Sequence, residues 1–337
     1  MMMEIVTGAA PLPEELRGAV VAIGNFDGMH RGHQQLLAAA KAVAEAQGRP
    51  WGVVTFEPHP RSFFTPAAPV FRLTPPALKA RLAAALGADF LTAIPFDAAL
   101  AGSAPEEFVR HHLVDRLAIG HVVTGYDFLF GKGRKGSPET LRLLGARWGF
   151  GVTTVDQVAD EDGGAPFSSS SIRAALRHGH LANAARELGY HWLVLGEVVK
   201  GDQRGRTLGF PTANIILDPG TELGRGIYAV FARDAAAPSG TADWLGAAYF
   251  GDRPTFQTGR SYLEVFLLDE NRDLYGRTLM VGLVDRVRPD QRFTTVEALV
   301  TQMNHDCATA RRILAAERQN PALGNFPLGR LQAEGRL

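Results

Sequence analysis

Strand-length apolar runs alternate with helix-length segments through the first half of this chain, and the alternation stops near Tyr190. The runs are Val20–Gly24, Gly52–Phe56, Phe90–Ile94, His121–Thr124 and Gly151–Val155. Between them lie Leu36–Ala46, Pro76–Leu86, Pro105–Leu117 and Ser137–Trp148, helical in period or composition. Such alternation predicts a parallel sheet with helices on both faces and ligands at the carboxyl ends of the strands. Ser103 followed by Glu106 reads as a capping box at the start of Pro105–Leu117. Beyond Tyr190 the strand candidates Trp192–Val199, Gly226–Phe231, Trp244–Phe250, Leu263–Leu268 and Thr278–Val287 follow at short spacing, broken by Gly, Pro and Asp. That texture predicts an antiparallel barrel or sandwich, followed by one terminal helix over Thr294–Ala316. Ser169–Arg177 and Leu181–Leu188 read as two bridging helices, so a boundary near Glu187 divides the chain into 1–186 and 187–337.

At 337 residues, each half is long enough to bury its own core. The 35 basic and 35 acidic residues cancel, which argues against a general nucleic-acid-binding surface. Cys307 is the single cysteine, so an intrachain disulfide and a multi-cysteine zinc site are both excluded. Met-Met-Met-Glu at the start lacks the basic segment and apolar core of a signal peptide. No apolar stretch approaches membrane-spanning length, and a cytoplasmic location is expected.

His30-Arg31-Gly32-His33 closes the run Ala19–Met29 and opens a helix. Two histidines three apart on a first turn share a face, beside backbone N–H groups with no intrahelical partner. Such a terminus is an anion site, and Gly32 lets a phosphate approach the backbone. A lone histidine pair is more often a cap or a core pair. Strand, Gly24-Asn25-Phe26-Asp27-Gly28 loop and helix together point instead to a nucleotide α-phosphate. His59, held between Pro58 and Pro60 with Arg61 beside it, follows the next strand. Gly125–Gly136 offers Asp127 for a ribose, a base or a metal ion, and the glycine-spaced cations Lys132, Arg134 and Lys135 for phosphates. Phe128 and Phe130 distinguish this stretch from a merely solvated loop. In Ser168-Ser169-Ser170-Ser171-Ile172-Arg173, capping explains one serine; the others and Arg173 suit an anion.

In order and spacing, Gly24–His33, Phe56–Pro60, Gly125–Gly136 and Ser168–Arg173 resemble the HxGH nucleotidylyltransferase superfamily. Within it they are similar to the FMN adenylyltransferase module of bacterial FAD synthetases. The resemblance implies a Rossmann-like domain in which Gly24, Phe26, Asp27, His30, His33, Asp127, Ser169, Ser170 and Arg173 bind ATP. By the same resemblance His30 and His33 contact the phosphates, Ser169, Ser170 and Arg173 grip the triphosphate from the other side, and Asp127 stands near the ATP and metal. Ser170 replaces the usual Thr and keeps the hydroxyl. An FMN phosphate is already anionic, so its attack on the ATP α-phosphorus requires no general base. Catalysis reduces to alignment and charge neutralisation, which His30, His33 and Arg173 suit.

Past the boundary, Gly201–Gly209 is a cationic loop, and Phe210-Pro211-Thr212-Ala213-Asn214 is its stiff continuation. Thr212 and Asn214 alternate onto one side of an extended segment, presenting two neutral oxygens of the kind that suit Mg²⁺ shared with nucleotide phosphates. No Walker GxxxxGK[ST] spacing is present. This run resembles the riboflavin kinase module, as do Gly226–Ala229, Gly251–Phe256, Glu264-Val265 and Asp273–Gly276. The resemblance implies an antiparallel β-barrel with Gly201, Arg206, Gly209, Thr212, Asn214 and Arg253 at the ATP and flavin. It also implies Thr212 and Asn214 on the metal of Mg-ATP and Glu264 as general base for the riboflavin 5′-hydroxyl. A neutral alcohol, unlike a phosphate, must lose a proton as it attacks. Tyr249-Phe250 stand where Asn-Ile is common, Phe266 where His is usual, Glu270 where Phe is usual and Asp290 where Glu is common. None of these departures falls at Thr212, Asn214 or Glu264 themselves.

The two resemblances together imply FAD synthesis in two steps, with ATP as co-substrate, Mg²⁺, and flavins as substrate and product. No nucleic-acid or membrane partner is expected, and self-association at most in passing. Another nucleotidylyltransferase, of the cytidylyl or pantetheine-phosphate kind with an unrelated second domain, conflicts with the contiguous second match. A flavin-binding regulator that has lost its activities conflicts with intact His30, His33, Thr212, Asn214 and Glu264.

Overall fold

The computed structural model describes residues 3–6, 8, 10–157, 166–201, 205, 208–251, 261–270 and 272–337. Arg206 and Arg253 lie outside the described residues. The chain forms two compact units, one of Met1–Val70 with Lys79–Phe167 and one of Phe71–Leu78 with Ser168–Leu337.

The first unit is a six-stranded parallel sheet. Its strands are β1 (Glu4–Val6), β2 (Val20–Ile23), β3 (Trp51–Glu57), β4 (Phe90–Pro95), β5 (His121–Gly125) and β6 (Gly151–Val155), in the order β1-β4-β3-β2-β5-β6. β2 is buried along its whole length, as an apolar strand with neighbours on both sides and helices over both faces must be. From β2 the chain winds one way through β3 and β4 and the other way through β5 and β6. The carboxyl ends of β2 and β5 therefore flank the switch point where such sheets bind ligands. The helices are α1 (Arg31–Gln47), α2 (Pro60–Phe64), α3 (Pro76–Ala85), α4 (Ala98–Gly102), α5 (Pro105–Phe108) and α6 (Pro138–Trp148). α5 runs on as a π-helix over Val109–Arg116.

Two local readings change. The cap of α5 is Ala104, whose N–H donates to Glu107 at 2.7 Å, while Ser103 turns back to the Leu100 carbonyl at 2.8 Å. Pro105 takes the first helical position, so the cap falls one residue later than Ser103 and Glu106 suggest. β1 escapes the apolar pattern because Glu4 and Ile5, two of its three residues, are exposed.

The second unit opens with α7 (Ser169–Arg177) and α8 (Leu181–Leu188). A closed antiparallel barrel follows, so the choice between barrel and sandwich resolves to barrel. Its strands β7 (Leu193–Val199), β8 (Thr212–Ile216), β9 (Gly226–Asp234), β10 (Trp244–Phe250), β11 (Tyr262–Leu267) and β12 (Thr278–Pro289) run around it as β10-β11-β8-β7-β12-β9. Two C-terminal helices, α9 (Val296–Gln319) and α10 (Pro327–Ala333), complete the unit. Cys307, Ala310 and Leu314 of α9 pack on Ala229, Ala247, Val284 and Phe266. The alternate residues Val230, Ala248 and Val265 are fully buried on the other face of the same strands. Segment Phe71–Leu78 is tied into this unit by polar contacts. Arg72 pairs with Asp218 at 2.7 and 2.8 Å, the Trp192 indole donates to the Leu73 carbonyl at 3.0 Å, and Arg173 Nε donates to the Phe71 carbonyl at 2.6 Å.

α9 is locked to β12 by a fork of charge. Arg288 donates to both oxygens of buried Asp306 at 2.8–3.0 Å, and Gln302 adds a third donor at 2.8 Å. Truncating Asp306 leaves a guanidinium without its carboxylate, so Asp306→Ala is expected to lower stability by about 3 kcal/mol in urea denaturation. A loss below about 1 kcal/mol would show the pair to be solvated like a surface bridge.

Candidate active sites

The loop from β2 to α1 is clamped at both ends and strained between. The Gly24 N–H donates to the Val54 carbonyl at 3.1 Å. The Asn25 carbonyl accepts from Lys79 Nζ at 2.8 Å and from Thr55 Oγ1 at 3.1 Å, and Lys79 reaches the same hydroxyl at 3.2 Å. At the far end the Met29 carbonyl accepts from Gln34 Nε2 at 2.8 Å. Between the clamps Phe26, Gly28 and Met29 have φ of 47°, 91° and 42°, left-handed values that bulky side chains adopt only when their surroundings impose them. Burial imposes them here, since Phe26 and Met29 are fully enclosed.

His30 then caps α1, its Nδ1 accepting from the His33 N–H at 3.4 Å. The neutral ring so held carries its proton on Nε2 and remains a donor there. The two imidazoles stack at 3.7 Å between centroids, and Phe26 meets His33 edge-on at 5.3 Å. A Cβ on Gly32 would lie 3.3 Å from the His30 ring, so the glycine leaves room for that stack. Burial pushes the His30 pKa down to about 4, against a smaller upward pull from Asp27. Burial likewise drives His33 well below the ordinary imidazole range, helped by the charges of His30 and Lys79. Both rings are therefore neutral near pH 7, and the pair offers polar contacts rather than fixed cations.

No motif in the sequence marks Lys79 or Thr55. The one signal for Lys79 is its spacing from Leu82 and Ala83, which puts a lysine on the buried face of α3. Asp127 is exposed at the end of β5, the neighbour of β2. A Cβ on Gly125 would stand 3.1 Å from its carboxylate. Phe130 is buried in the core and Phe128 packs on it at 5.5 Å, so these aromatics anchor the loop rather than face a ligand. Lys132, Arg134 and Lys135 beyond them are exposed. His59 caps α2, accepting from the Arg61 N–H at 3.2 Å.

Ser169, Ser170 and Arg173 belong to the second unit. Ser168 caps α7 through the Ser171 N–H at 3.1 Å, and the Ser171 hydroxyl donates to Glu187 at 2.5 Å. Capping and the Glu187 contact account for Ser168 and Ser171. Ser170 is exposed, and Arg173 is buried.

In the barrel, register assembles the second site. Glu264 of β11 lies directly opposite Asn214 of β8 and Tyr249 of β10, and Phe266 lies opposite Thr212. Directly opposed residues share a face, so Thr212, Asn214, Glu264, Phe266 and Tyr249 form one patch. Asn214 is buried, and its Oδ1 has no hydrogen-bond partner among the described residues, while its Nδ2 donates weakly to the Thr212 carbonyl at 3.4 Å. Gly201 closes over this amide: a Cβ there would sit 2.4 Å from Asn214 Nδ2. Gly209 has φ 85°, a turn that favours glycine. Thr212 and Asn214 also line a cavity of about 300 Å³ with Glu270, Arg272, Asp273 and Tyr275.

An α/β unit with a polar loop at its switch point, followed by a closed barrel carrying an amide and a carboxylate on adjacent strands, defines a two-module nucleotide-dependent transferase. Residues 12–171 match the FAD synthetase family model and residues 188–314 the riboflavin kinase model. The chain is 37% identical over 312 residues to the bifunctional riboflavin kinase/FMN adenylyltransferase of Escherichia coli K12, covering 92% of this chain and 97% of that one. It is 40% identical over 314 residues to the protein of the same description from Pseudomonas fluorescens, covering 93% and 98%. A crystal structure described as a macrolide-efflux protein from Streptococcus pneumoniae matches with a TM-score of 0.78 at 29% identity, over 92% of this chain and 99% of that one. No helix among the described residues is long and apolar enough to cross a membrane. The chain belongs to the bifunctional riboflavin kinase/FMN adenylyltransferase family.

The buried histidines make stability pH-dependent. The folded state holds His30 neutral down to about pH 4, whereas an unfolded histidine protonates near pH 6.5. The unfolded chain therefore binds more protons in that window, and stability falls as pH drops through it, by at most about 3 kcal/mol from this residue. Urea midpoints are expected to decline from about pH 6.5 to about pH 4, and less steeply in His30→Asn, which keeps a capping oxygen. An equal slope in the variant would remove His30 from this dependence.

Proposed function

We infer that this chain converts riboflavin and ATP to FMN and ADP in its barrel, and FMN and ATP to FAD and pyrophosphate in its α/β domain. The division of labour between 1–186 and 187–337 is part of the inference. The observation that carries it furthest is the register that sets Glu264 opposite Asn214. It puts a carboxylate for the riboflavin hydroxyl proton beside an oxygen suited to Mg-ATP.

The donor set fits the metal. Asn214 Oδ1 is a buried oxygen that lacks a hydrogen-bond partner among the described residues, and Thr212 adds a hydroxyl on the same face. Thr212 and Asn214 would hold Mg²⁺, which supplies charge neutralisation to the transferred phosphoryl group. Gly201 closes the loop over the amide, Gly209 turns it, and Glu264 takes the proton. The parts given to Arg206 and Arg253 rest on the resemblance.

In the adenylyl step no base is needed, because the nucleophile is a phosphate oxygen. His30, as an Nε2 donor, and His33 align the α-phosphate through hydrogen bonds, Gly24, Phe26 and Asp27 shape the loop, and Asp127 faces the nucleotide. The triphosphate roles of Ser169, Ser170 and Arg173 rest on the resemblance. Exposed Phe64, edge-on to Phe63 and Phe96 at 5.2 and 5.8 Å, offers an aromatic surface for the flavin ring. ATP and riboflavin as substrates suit a cytoplasmic location, with self-association at most in passing.

Incubation with riboflavin, ATP and Mg²⁺, with flavins resolved by chromatography, is expected to give FMN and then FAD; absence of both would overturn the reading. His30→Ala is expected to stop FAD formation and spare FMN formation. Glu264→Gln is expected to lower kcat for FMN formation by ~10²-fold or more while FAD still forms from supplied FMN. Gly201→Ala, which drives a methyl into the Asn214 amide, is expected to raise the KM for Mg-ATP in the kinase step alone. Loss of both steps in any one folded variant would contradict two separate sites.

A further inference from the structure

We propose that Lys79 is a positioning residue for adenylyl transfer, acting through the Asn25 carbonyl and through its charge beside the histidine pair. The proposal rests on the adenylyltransferase reading above and assigns a new part within it.

Lys79 is 5% exposed, and an ammonium is buried to that degree only where it finds partners. Two of its partners belong to the switch-point loop and the strand beside it. Its Nζ reaches the Asn25 carbonyl at 2.8 Å and Thr55 Oγ1 at 3.2 Å, and Thr55 itself donates to Asn25 at 3.1 Å. Asn25 is the residue just before Phe26, the first of the left-handed positions Phe26, Gly28 and Met29. That stretch stores strain, and it sets Phe26 against His33. A strained loop keeps its shape only when its ends are held. Gln34 holds one end from within α1, and Lys79, with Thr55, holds the other from outside.

The charge has a second effect. The groups acting on His33 are its own desolvation, His30 stacked on it and Lys79; Asp27 pulls His30 the other way. Lys79 thus favours the neutral form of His33 and contributes positive charge next to the place where phosphate charge is to be met. A neutral isostere would loosen the loop and let His33 protonate more readily.

The test compares wild type, Lys79→Met and Lys79→Arg, with FMN supplied, across the pH range of FAD formation. Lys79→Met is expected to lower kcat by ~10²-fold, the order a small misplacement costs. It should also move the acid limb of the pH–rate profile to higher pH. Lys79→Arg, which keeps the charge and the donors, is expected to leave the acid limb in place and restore part of the rate. Histidine ring NMR reads the same upward shift of His33 directly, even if the Met variant is too slow to assay. FMN formation from riboflavin should stay within about twofold and serves as the folding control. An unchanged rate, or a lower rate with the acid limb and the His33 titration unmoved, overturns the proposal. Wild type that makes FMN but no FAD would instead overturn the adenylyltransferase reading.

Discussion

Two imidazoles stacked 3.7 Å apart out of water cannot both be cations, and much of the α/β unit around β2 follows from that constraint. Neutral rings can be buried, so the chain can bring them under Phe26 at the head of α1. Burying them demands a loop that folds inward, and Phe26 and Met29 pay for that inward course with left-handed backbone. The course is held by carbonyl contacts at Asn25 and Met29, one made by a buried lysine. On the proposed reading, substrate supplies the charge, and the site supplies shape, donors and a nearby ammonium.

In the barrel the governing constraint is register. A slip of one residue between β8 and β11 would turn Glu264 to the opposite face from Asn214 and put Val265 in its place. The slip is resisted from both faces. Val230, Ala248 and Val265 fill one side, and α9 covers the other through Ala310 and Leu314, itself fixed by Arg288 and Asp306. Packing in the barrel interior and under α9 thereby keeps the carboxylate and the amide together.

Period and turn chemistry made the parallel sheet legible, because each buried strand is short, apolar and followed by a helix. Strand texture alone leaves barrel and sandwich open, and the resemblance points to the barrel; closure itself depends on the pairing of β9 with β10 and of β9 with β12. β1 was invisible because an edge strand with an exposed face carries no apolar pattern. The serine run was half understood: Ser168 and Ser171 are spent on the cap and on Glu187, a residue sixteen positions further on that local reading does not connect. The apolar surface of Phe128 and Phe130 sets this stretch apart from a solvated loop, and it goes into and against the core. Lys79 was missed because a single lysine in an alanine-rich helix gives no hint of which carbonyl it will reach.

The two chemistries ask for different scaffolds, and that explains why one chain carries both kinds. Transfer to a phosphate oxygen needs several weak donors converging on one anion. The carboxyl end of a parallel sheet provides them, because loops and helix termini from different strands meet there. Transfer to an alcohol needs a base at a fixed distance from the metal-bound nucleotide. Adjacent antiparallel strands provide that, because opposed side chains are held a few ångströms apart by the ladder itself. Strain is tolerable in the first case, where a loop is clamped by single contacts such as that of Lys79. It is avoidable in the second, where the backbone hydrogen bonds of the sheet position Glu264 and Asn214 without it.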